Sequence, residues 1–429
     1  MLFTLIQSLL SRWKTLLWTL IRKWSGMTIS PKSSRDVEQC IENEARDTLQ
    51  PNTTHLQQTK EAFIRSIQPR AIEALAQKHN NQKPCRIFGR ENGSFNVCFF
   101  LEFPDDGARW VVRVPIEPAL QQAWEKLESE VATVTYIQSM TTIPVPRIHA
   151  YGKGEVLTDN ENTTQMFLIS DYISGKPLIP ELLYRSARPA RSRLFRQIFD
   201  VLLQLRELEF DTIGSLMPNA HGTPQVSHLL TFSLNELPGV RLPTFATARE
   251  FMTSQFDVLL QHAALPAPDF TESDAKFERF AIHSLQSHFE SLITDELNYG
   301  PFLLNIIVND ELELQGVIDW EFAHIVPLPL FVPPSWATDH DDCRLRSLGT
   351  LFRTELRDAA RHDQRYSKLI DEWYAQESDA FHIAHIIRYP GDVSSVFDEY
   401  FAKKLYGEDL DKAETDFFEQ APLLKSKTC

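Results

Sequence analysis

The spacing of hydrophobic residues is helical over the first 25 residues, MLFTLIQSLLSRWKTLLWTLIRKWS, which place apolar and polar side chains on opposite halves of a helical wheel. Four basic residues occur there, and no acidic residue precedes Asp36. Arg12 and Lys14 interrupt the apolar run, so it does not read as a membrane-spanning helix. The pattern fits an interfacial membrane helix or a mitochondrial presequence, and the structural alternative is a helix packed on its own domain.

The remainder divides into a polar stretch and two lobes. Residues 26–59 lack a clear period and predict a linker. A predicted helix over residues 60–81 is followed by β-branched and aromatic runs with turns between them, which predict strands around one further helix at residues 119–140. After residue 178 the spacing is mostly helical, with one predicted hairpin at residues 305–322. We therefore expect an α+β fold with a β-rich N-lobe (residues 60–170) and a mainly helical C-lobe (residues 171–429).

Composition narrows the function classes. The chain has 429 residues, 58 acidic against 43 basic, and a formal net charge of −15. Such a charge disfavours nucleic-acid binding, since that affinity comes mostly from Lys and Arg. The five cysteines are scattered without a CxxC pair, which disfavours a zinc site or a disulfide framework and fits a reducing compartment.

Two places in the predicted lobes suggest chemistry. Arg113 lies within the apolar run WVVRVP, where a buried cation needs an anionic partner, and Glu130 on the following helix is the candidate. A surface cation at a sheet edge is the alternative. Asp319 ends the apolar run QGVID, and Asn305 opens the partner strand of the hairpin. An amide oxygen beside a carboxylate is a plausible ligand set for Mg²⁺.

Several motifs in order resemble the aminoglycoside phosphotransferase family, particularly its fungal branch. They include NGSFNVCFFLEF, SEVATVTYIQSM, FLISDYISGKPL, NIIVND and GVIDWEF, and the resemblance covers residues 85–406. It implies a two-lobed protein-kinase-like fold that uses ATP and Mg²⁺. By resemblance, Asn305 and Asp319 are the magnesium ligands. The implied nucleotide-binding residues are Asn92, Gly93 and Ser94 of the phosphate loop, Arg113 with its partner Glu130, and Ile169, Asp171 and Tyr172 of the hinge.

One part of the family pattern is missing. The family has a catalytic loop H-G-D-x-x-x-x-N before the hairpin, whereas this chain reads ELNYGPFLLNIIVND and has Gly300 where an ungapped alignment requires the catalytic aspartate. Three explanations stay open: a pseudokinase, a segment lost from the gene model or transcript, or a substitute carboxylate such as Asp310 or Asp339. The shortened connection is expected to displace Asn305 or to leave the cleft open.

The sequence thus predicts a small-molecule kinase whose transfer to a hydroxyl is impaired. The alternative is a noncatalytic nucleotide-binding or scaffold protein. The acceptor is not readable from the sequence, and residues 331–336 are either a wall of its pocket or simple core packing. We expect no nucleic-acid partner, membrane-surface contact through residues 1–25, and a cytoplasmic or mitochondrial location.

Overall fold

A five-stranded antiparallel sheet forms the N-lobe, in the order β1-β2-β3-β5-β4. Its strands are β1 (Arg86–Asn92), β2 (Asn96–Glu102), β3 (Arg109–Pro115), β4 (Ile148–Glu155) and β5 (Gln165–Asp171). The computed structural model describes residues 51–265, 270–293, 298–299, 305–338, 346–375 and 378–420. The expected N-terminal helix at residues 1–25 lies outside the described residues.

Two helices cover the outer face of this sheet. They are α1 (Pro51–Ser66) and α2 (Pro69–His79), separated at Gln68 because the residue before a proline disfavours the helical conformation. Ile72 of α2 is fully buried in one cluster with Val97 and Phe99 of β2. The expected linker therefore ends earlier than residue 59, since α1 already begins at Pro51.

The third helix, α3 (Ala123–Met140), connects the sheet to the cleft between the lobes. It follows β3 after a short turn, as the sequence predicted. Its first turns bring Lys126 and Glu130 into the protein interior, where both side chains are almost fully buried. Two charged residues four positions apart lie on one face of a helix, so α3 directs a charged pair at the cleft.

The C-lobe is mainly helical, as expected, and most of its buried side chains form one large cluster. Its principal helices are α4 (Arg188–Arg206), α5 (Ala248–His262), α6 (Glu272–Ser284), α7 (Arg346–Ala360), α8 (Ser367–Tyr374), α9 (Ala380–Arg388) and α10 (Leu410–Gln420). Capping boxes at Thr247 and Thr271 begin α5 and α6. None of the described helices is long and apolar enough to cross a membrane.

The C-lobe also contains more strands than the sequence indicated. The expected hairpin is present as β11 (Asn305–Val308) and β12 (Leu314–Ile318), and β6 (Lys176–Pro177) pairs with β11. The structure adds β7 (Glu209–Phe210), β8 (Ser215–Pro218), β9 (Pro224–Ser227), β10 (Asn298–Tyr299) and β13 (Val326–Pro327). The expectation of a single hairpin among helices was therefore wrong, because these short pairings have too few residues to show a period.

Candidate functional site

Arg113 projects from the middle of β3 into the cleft. Its neighbours Val112 and Val114 are fully buried on the outer face, and alternation along the strand turns Arg113 to the opposite face. The guanidinium contacts Glu130 through Nη1, so the expected ion pair is present. Burial alone would lower the pKa of Arg113, but the carboxylates of Glu130 and Glu321 raise it above its usual value. Arg113 therefore remains a cation inside the protein.

Two further charged residues complete this cluster, and sequence reasoning missed both. Lys126 of α3 has a side chain only 3% exposed, and its Nζ contacts Glu321 Oε2 and lies 3.8 Å from Glu130 Oε2. The Nη2 atom of Arg113 lies 3.4 Å from Glu321 Oε2 and 3.5 Å from Asp319 Oδ1. We call Arg113, Lys126, Glu130, Asp319 and Glu321 the ion-pair network.

Asp319 and Asn305 meet at one end of the C-lobe hairpin. Asn305 pairs with Ile318 across β11 and β12, which brings it beside the next residue, and Asn305 Nδ2 donates to Asp319 Oδ2 at 2.8 Å. Asp319 has a φ of +66°, a left-handed conformation that costs roughly 1 kcal/mol or more for a residue with a Cβ. The sequence left two outcomes open for the short connection, a displaced Asn305 or an open cleft, and in the structure the Asn305 amide is in contact with Asp319.

The pKa values of Asp319 and Glu321, the two carboxylates that follow β12, shift in opposite directions. Burial and then repulsion from Glu321 raise the pKa of Asp319, and Arg113 offsets part of that rise. Burial would also raise the pKa of Glu321, but Lys126 and Arg113 hold it below its usual value. The Asp319 side chain is 35% exposed, more than any other member of the ion-pair network. It is therefore the carboxylate most accessible to a ligand in the cleft.

The chemistry of Asn305 and Asp319 fits a magnesium ion that is also held by phosphates. The described residues contain no cluster of three or more His, Cys, Asp or Glu suited to a metal. Magnesium in nucleotide sites uses one or two carboxylates together with phosphate oxygens and water, so one carboxylate and one amide are sufficient. The oxygen of the Asn305 amide is the atom that would bind Mg²⁺. The amide would have to rotate to direct this oxygen, and not its nitrogen, toward the ion.

The β1–β2 loop lies beside the ion-pair network. It consists of Gly93, Ser94 and Phe95, directly after Asn92 at the end of β1, and the Gly93 N–H donates to the Asn96 carbonyl at 2.7 Å. A Cβ on Gly93 would lie 3.3 Å from that carbonyl oxygen, so the turn favours a residue without one. Asn96, which follows the loop, lies opposite Pro115 in the β2–β3 pairing, and Asn96 Nδ2 and Arg113 Nη2 both contact Glu321 Oε2.

Ile169 and Asp171, two of the expected hinge residues, make packing and hydrogen-bond contacts within the N-lobe. Ile169 pairs with Val112 across β3 and β5, and its side chain is fully buried in the outer core of the N-lobe. The Asp171 carboxylate contacts His149 Nε2 at 2.7 Å and accepts from the Arg147 N–H at 3.3 Å. The contact of this segment with a nucleotide stays a prediction.

Tyr172 is the expected hinge residue with a ring beside the cleft strands. Its ring centroid lies 5.4 Å from those of Phe88 and Phe100. Its backbone N–H donates to the Arg109 carbonyl at 3.0 Å, so that amide is already used by the sheet. The ring and the N–H of Tyr172 thus both have partners within the protein, and its contact with a nucleobase stays a prediction.

Asp310 and Asp339 are the two carboxylates that the sequence offers as substitutes for the family's catalytic aspartate. Gly300 and Asp339 lie outside the described residues. Asp310 is at the opposite end of the hairpin from Asn305, roughly 15 Å away along the strand, and pairs with Lys176 at 2.9 Å. Asp310 is therefore distant from the Asn305 and Asp319 pair.

Residues 331–336 belong to the C-lobe core. Phe331 is 1% exposed, and its carbonyl accepts from Trp373 Nε1 at 2.6 Å. The Trp336 ring stacks on Phe195 with centroids 6.1 Å apart. Core packing, the alternative considered for this segment, accounts for these contacts.

Comparison with known proteins gives distant relatives. No protein-family model matches the sequence. The chain is 23% identical over 288 residues to the clavilactone A biosynthesis cluster protein Y of Ampulloclitocybe clavipes, covering 62% of this chain and 68% of that protein. A GDP complex of an aminoglycoside 2'-phosphotransferase-IIIa variant has a TM-score of 0.44 at 13% identity, and the match covers 82% of this chain and 99% of that protein. Plasmodium vivax ethanolamine kinase has a TM-score of 0.43 at 12% identity, and the match covers 94% of this chain and 99% of that protein.

The architecture itself is the one that the sequence resemblance implied. A five-stranded N-lobe with its α3 helix continues into a helical C-lobe, and the C-lobe hairpin carries Asn305 and Asp319 into the cleft opposite Arg113. The described residues therefore form the α+β fold that the sequence predicted, with a β-rich N-lobe followed by a mainly helical C-lobe.

Proposed function

We propose that this chain derives from a small-molecule kinase that transfers the γ-phosphoryl group of ATP, with Mg²⁺, to a hydroxyl, and that its own transfer is strongly reduced. Asn305 and Asp319 would hold the metal, and Arg113 would contact the phosphates. The bound Mg²⁺ would neutralise charge on the transferred group. The acceptor is an unidentified small molecule, and the curated relative named for clavilactone A biosynthesis gives a first compound class to assay.

The placement of Arg113 carries this proposal. The cation lies between Glu130 on one side and Asp319 and Glu321 on the other, beside the glycine-containing β1–β2 loop. A phosphate chain entering there would meet a fixed guanidinium and, through a metal, the exposed Asp319. The guanidinium fork suits phosphate oxygens, and Mg²⁺ at Asn305 and Asp319 would offset the excess negative charge of the ion-pair network, which supports a nucleotide polyphosphate rather than a neutral ligand.

A noncatalytic nucleotide-binding protein is the second candidate, and the short connection before the hairpin favours it. Five residues, 300–304, separate β10 from β11, and none is an acid. In the cleft, Glu130, Asp319 and Glu321 each contact a cation or an amide. Loss of a general base typically costs about 10²–10⁴-fold in rate.

The test compares the natural chain with a variant that carries a His-Gly-Asp segment inserted before Asn305. Mg-ATP should raise the melting temperature of both, and only the insertion variant should turn over ATP, faster by about 10²–10⁴-fold. Asp319→Asn should abolish the magnesium dependence of the shift, whereas Glu313→Gln, at the far end of the hairpin, should not. Robust turnover by the natural chain would refute the missing-base argument, and no thermal shift in either chain would refute nucleotide binding.

A further inference from the structure

Three donors of the N-lobe converge on a single C-lobe atom, Glu321 Oε2. Asn96 Nδ2, at the start of β2, donates to it at 2.7 Å. Arg113 Nη2 from β3 lies 3.4 Å away, and Lys126 Nζ from the first turn of α3 is in direct contact. Three separate elements of the N-lobe thus depend on one carboxylate across the cleft.

Aromatic contacts reinforce the same connection. Phe95 precedes Asn96, and its ring lies edge-on to Phe322, the residue after Glu321, with centroids 5.2 Å apart. Phe95 also meets Phe232 of the C-lobe at 5.9 Å. A hydrogen bond and an aromatic contact between adjacent residues therefore hold the end of the β1–β2 loop on the C-lobe.

The charges explain why a carboxylate is needed there. Lys126 is buried, and its other carboxylate partner, Glu130, is 3.8 Å away and already contacts Arg113. Without Glu321, Arg113 would keep Glu130 and Asp319, but Lys126 would keep only the more distant Glu130 in the ion-pair network, which is costly for a buried ammonium at low dielectric.

We propose that Glu321 is a positioning residue that locks the β1–β2 loop and the cations Arg113 and Lys126 over the cleft before any ligand binds. Its effect on nucleotide binding rests on the proposed function, but its effect on the loop does not. The phosphates of a nucleotide then meet a preorganised loop and do not have to order it, which lowers the entropic cost of binding.

Hydrogen exchange of the ligand-free protein tests the lock directly. Glu321→Gln and Asn96→Ala should each speed amide exchange in residues 93–96 by about tenfold, as expected for one hydrogen bond to a charged group. Glu321→Asp should lose less protection from exchange than Glu321→Gln. Glu313→Gln is the matched control and should leave the exchange of residues 93–96 unchanged. The two main changes should be less than additive, since they remove the same hydrogen bond. Wild-type exchange in Asn96→Ala and Glu321→Gln would overturn the proposal.

Nucleotide affinity gives the second readout. Asn96→Ala, Glu321→Gln and Lys126→Met should each weaken ATP about tenfold and leave adenosine unchanged, because the lock acts on the phosphate end. If Glu321 served instead as a metal ligand, Lys126→Met would tighten magnesium-dependent ATP binding and Asn96→Ala would have no effect, which would overturn the positioning role. A natural chain that binds no ATP but shows the exchange effects would refute the proposed function and keep the loop lock.

Discussion

Removing the charge of Arg113 should destabilise the protein far more than removing a surface arginine. Arg113 Nη2 lies 3.4 Å from Glu321 and 3.5 Å from Asp319, and Nη1 contacts Glu130. At an effective dielectric of about 20, each of the two longer pairs is worth roughly 4–5 kcal/mol before desolvation is subtracted. Arg113→Met leaves three carboxylates opposite Lys126 alone, so the net charge of the ion-pair network changes from about −1 to −2.

The expected loss is about 3–5 kcal/mol in the free energy of unfolding, the range for breaking a buried ion pair from one side. Urea unfolding followed by tryptophan fluorescence measures it. Arg86→Met is the matched control, because Arg86 pairs with Glu102 at 3.1 Å while 71% exposed, and should cost less than about 1 kcal/mol.

Two further measurements test the same reasoning: the salt dependence of the Arg113→Met loss, and the stability of Arg113→Lys. Added NaCl should change the Arg113→Met loss little, because buried charges are poorly screened. Arg113→Lys should lose less than Arg113→Met but more than the control, since an ammonium is a point charge and cannot reach three carboxylates with a planar fork. A loss below about 1 kcal/mol for Arg113→Met would refute the reading of this network as buried and interdependent.

Three further outcomes follow from individual residues. Gly175→Ala should lower the free energy of unfolding by at least about 2 kcal/mol in a melting experiment, because the Gly175 φ is +140° and the added Cβ would lie 2.5 Å from the Val308 carbonyl oxygen. Gly391→Ala is the control and should be neutral, since a Cβ there would meet open space. Burial raises the pKa of Glu278 to about 7, so stability should fall as pH rises from about 4.5 to about 7, where only the unfolded chain has released the proton. Glu278→Gln should remove this dependence in pH-resolved unfolding and add up to about 3 kcal/mol at pH 8. Asn305→Leu should leave the melting temperature within a few degrees but abolish the additional shift that Mg²⁺ gives with ATP, and an unchanged magnesium response would exclude Asn305 as a ligand.

Period and turn residues were enough to predict the N-lobe strands and α3. Strands β2 and β3 are long, rich in β-branched and aromatic residues, and joined by a turn that contains Gly107. Strands such as β7, β10 and β13 have two residues each and exist only because partners distant in sequence pair with them. No local pattern carries that information.

The candidate site was predictable where a residue conflicts with its surroundings. Arg113 within an apolar strand required a partner, and Glu130 was correctly chosen. Lys126 could have been suspected because it precedes Glu130 by one helical turn, and Glu321 because it lies two residues after Asp319. The sequence does not tell which face of α3 meets the hairpin, and so both looked like ordinary surface charges.

The packing of α1 and α2 changes where a functional fragment of this protein begins. The family motifs start near residue 85, yet Ile67, Ile72, Leu75 and Ala76 shield the same apolar sheet face as Phe99. A shortened protein that starts at Cys85 would expose this face to water and should aggregate on expression, whereas one that starts at Pro51 should remain monodisperse. The boundary of the folding unit is therefore set by the cover of its sheet and not by the first recognisable motif.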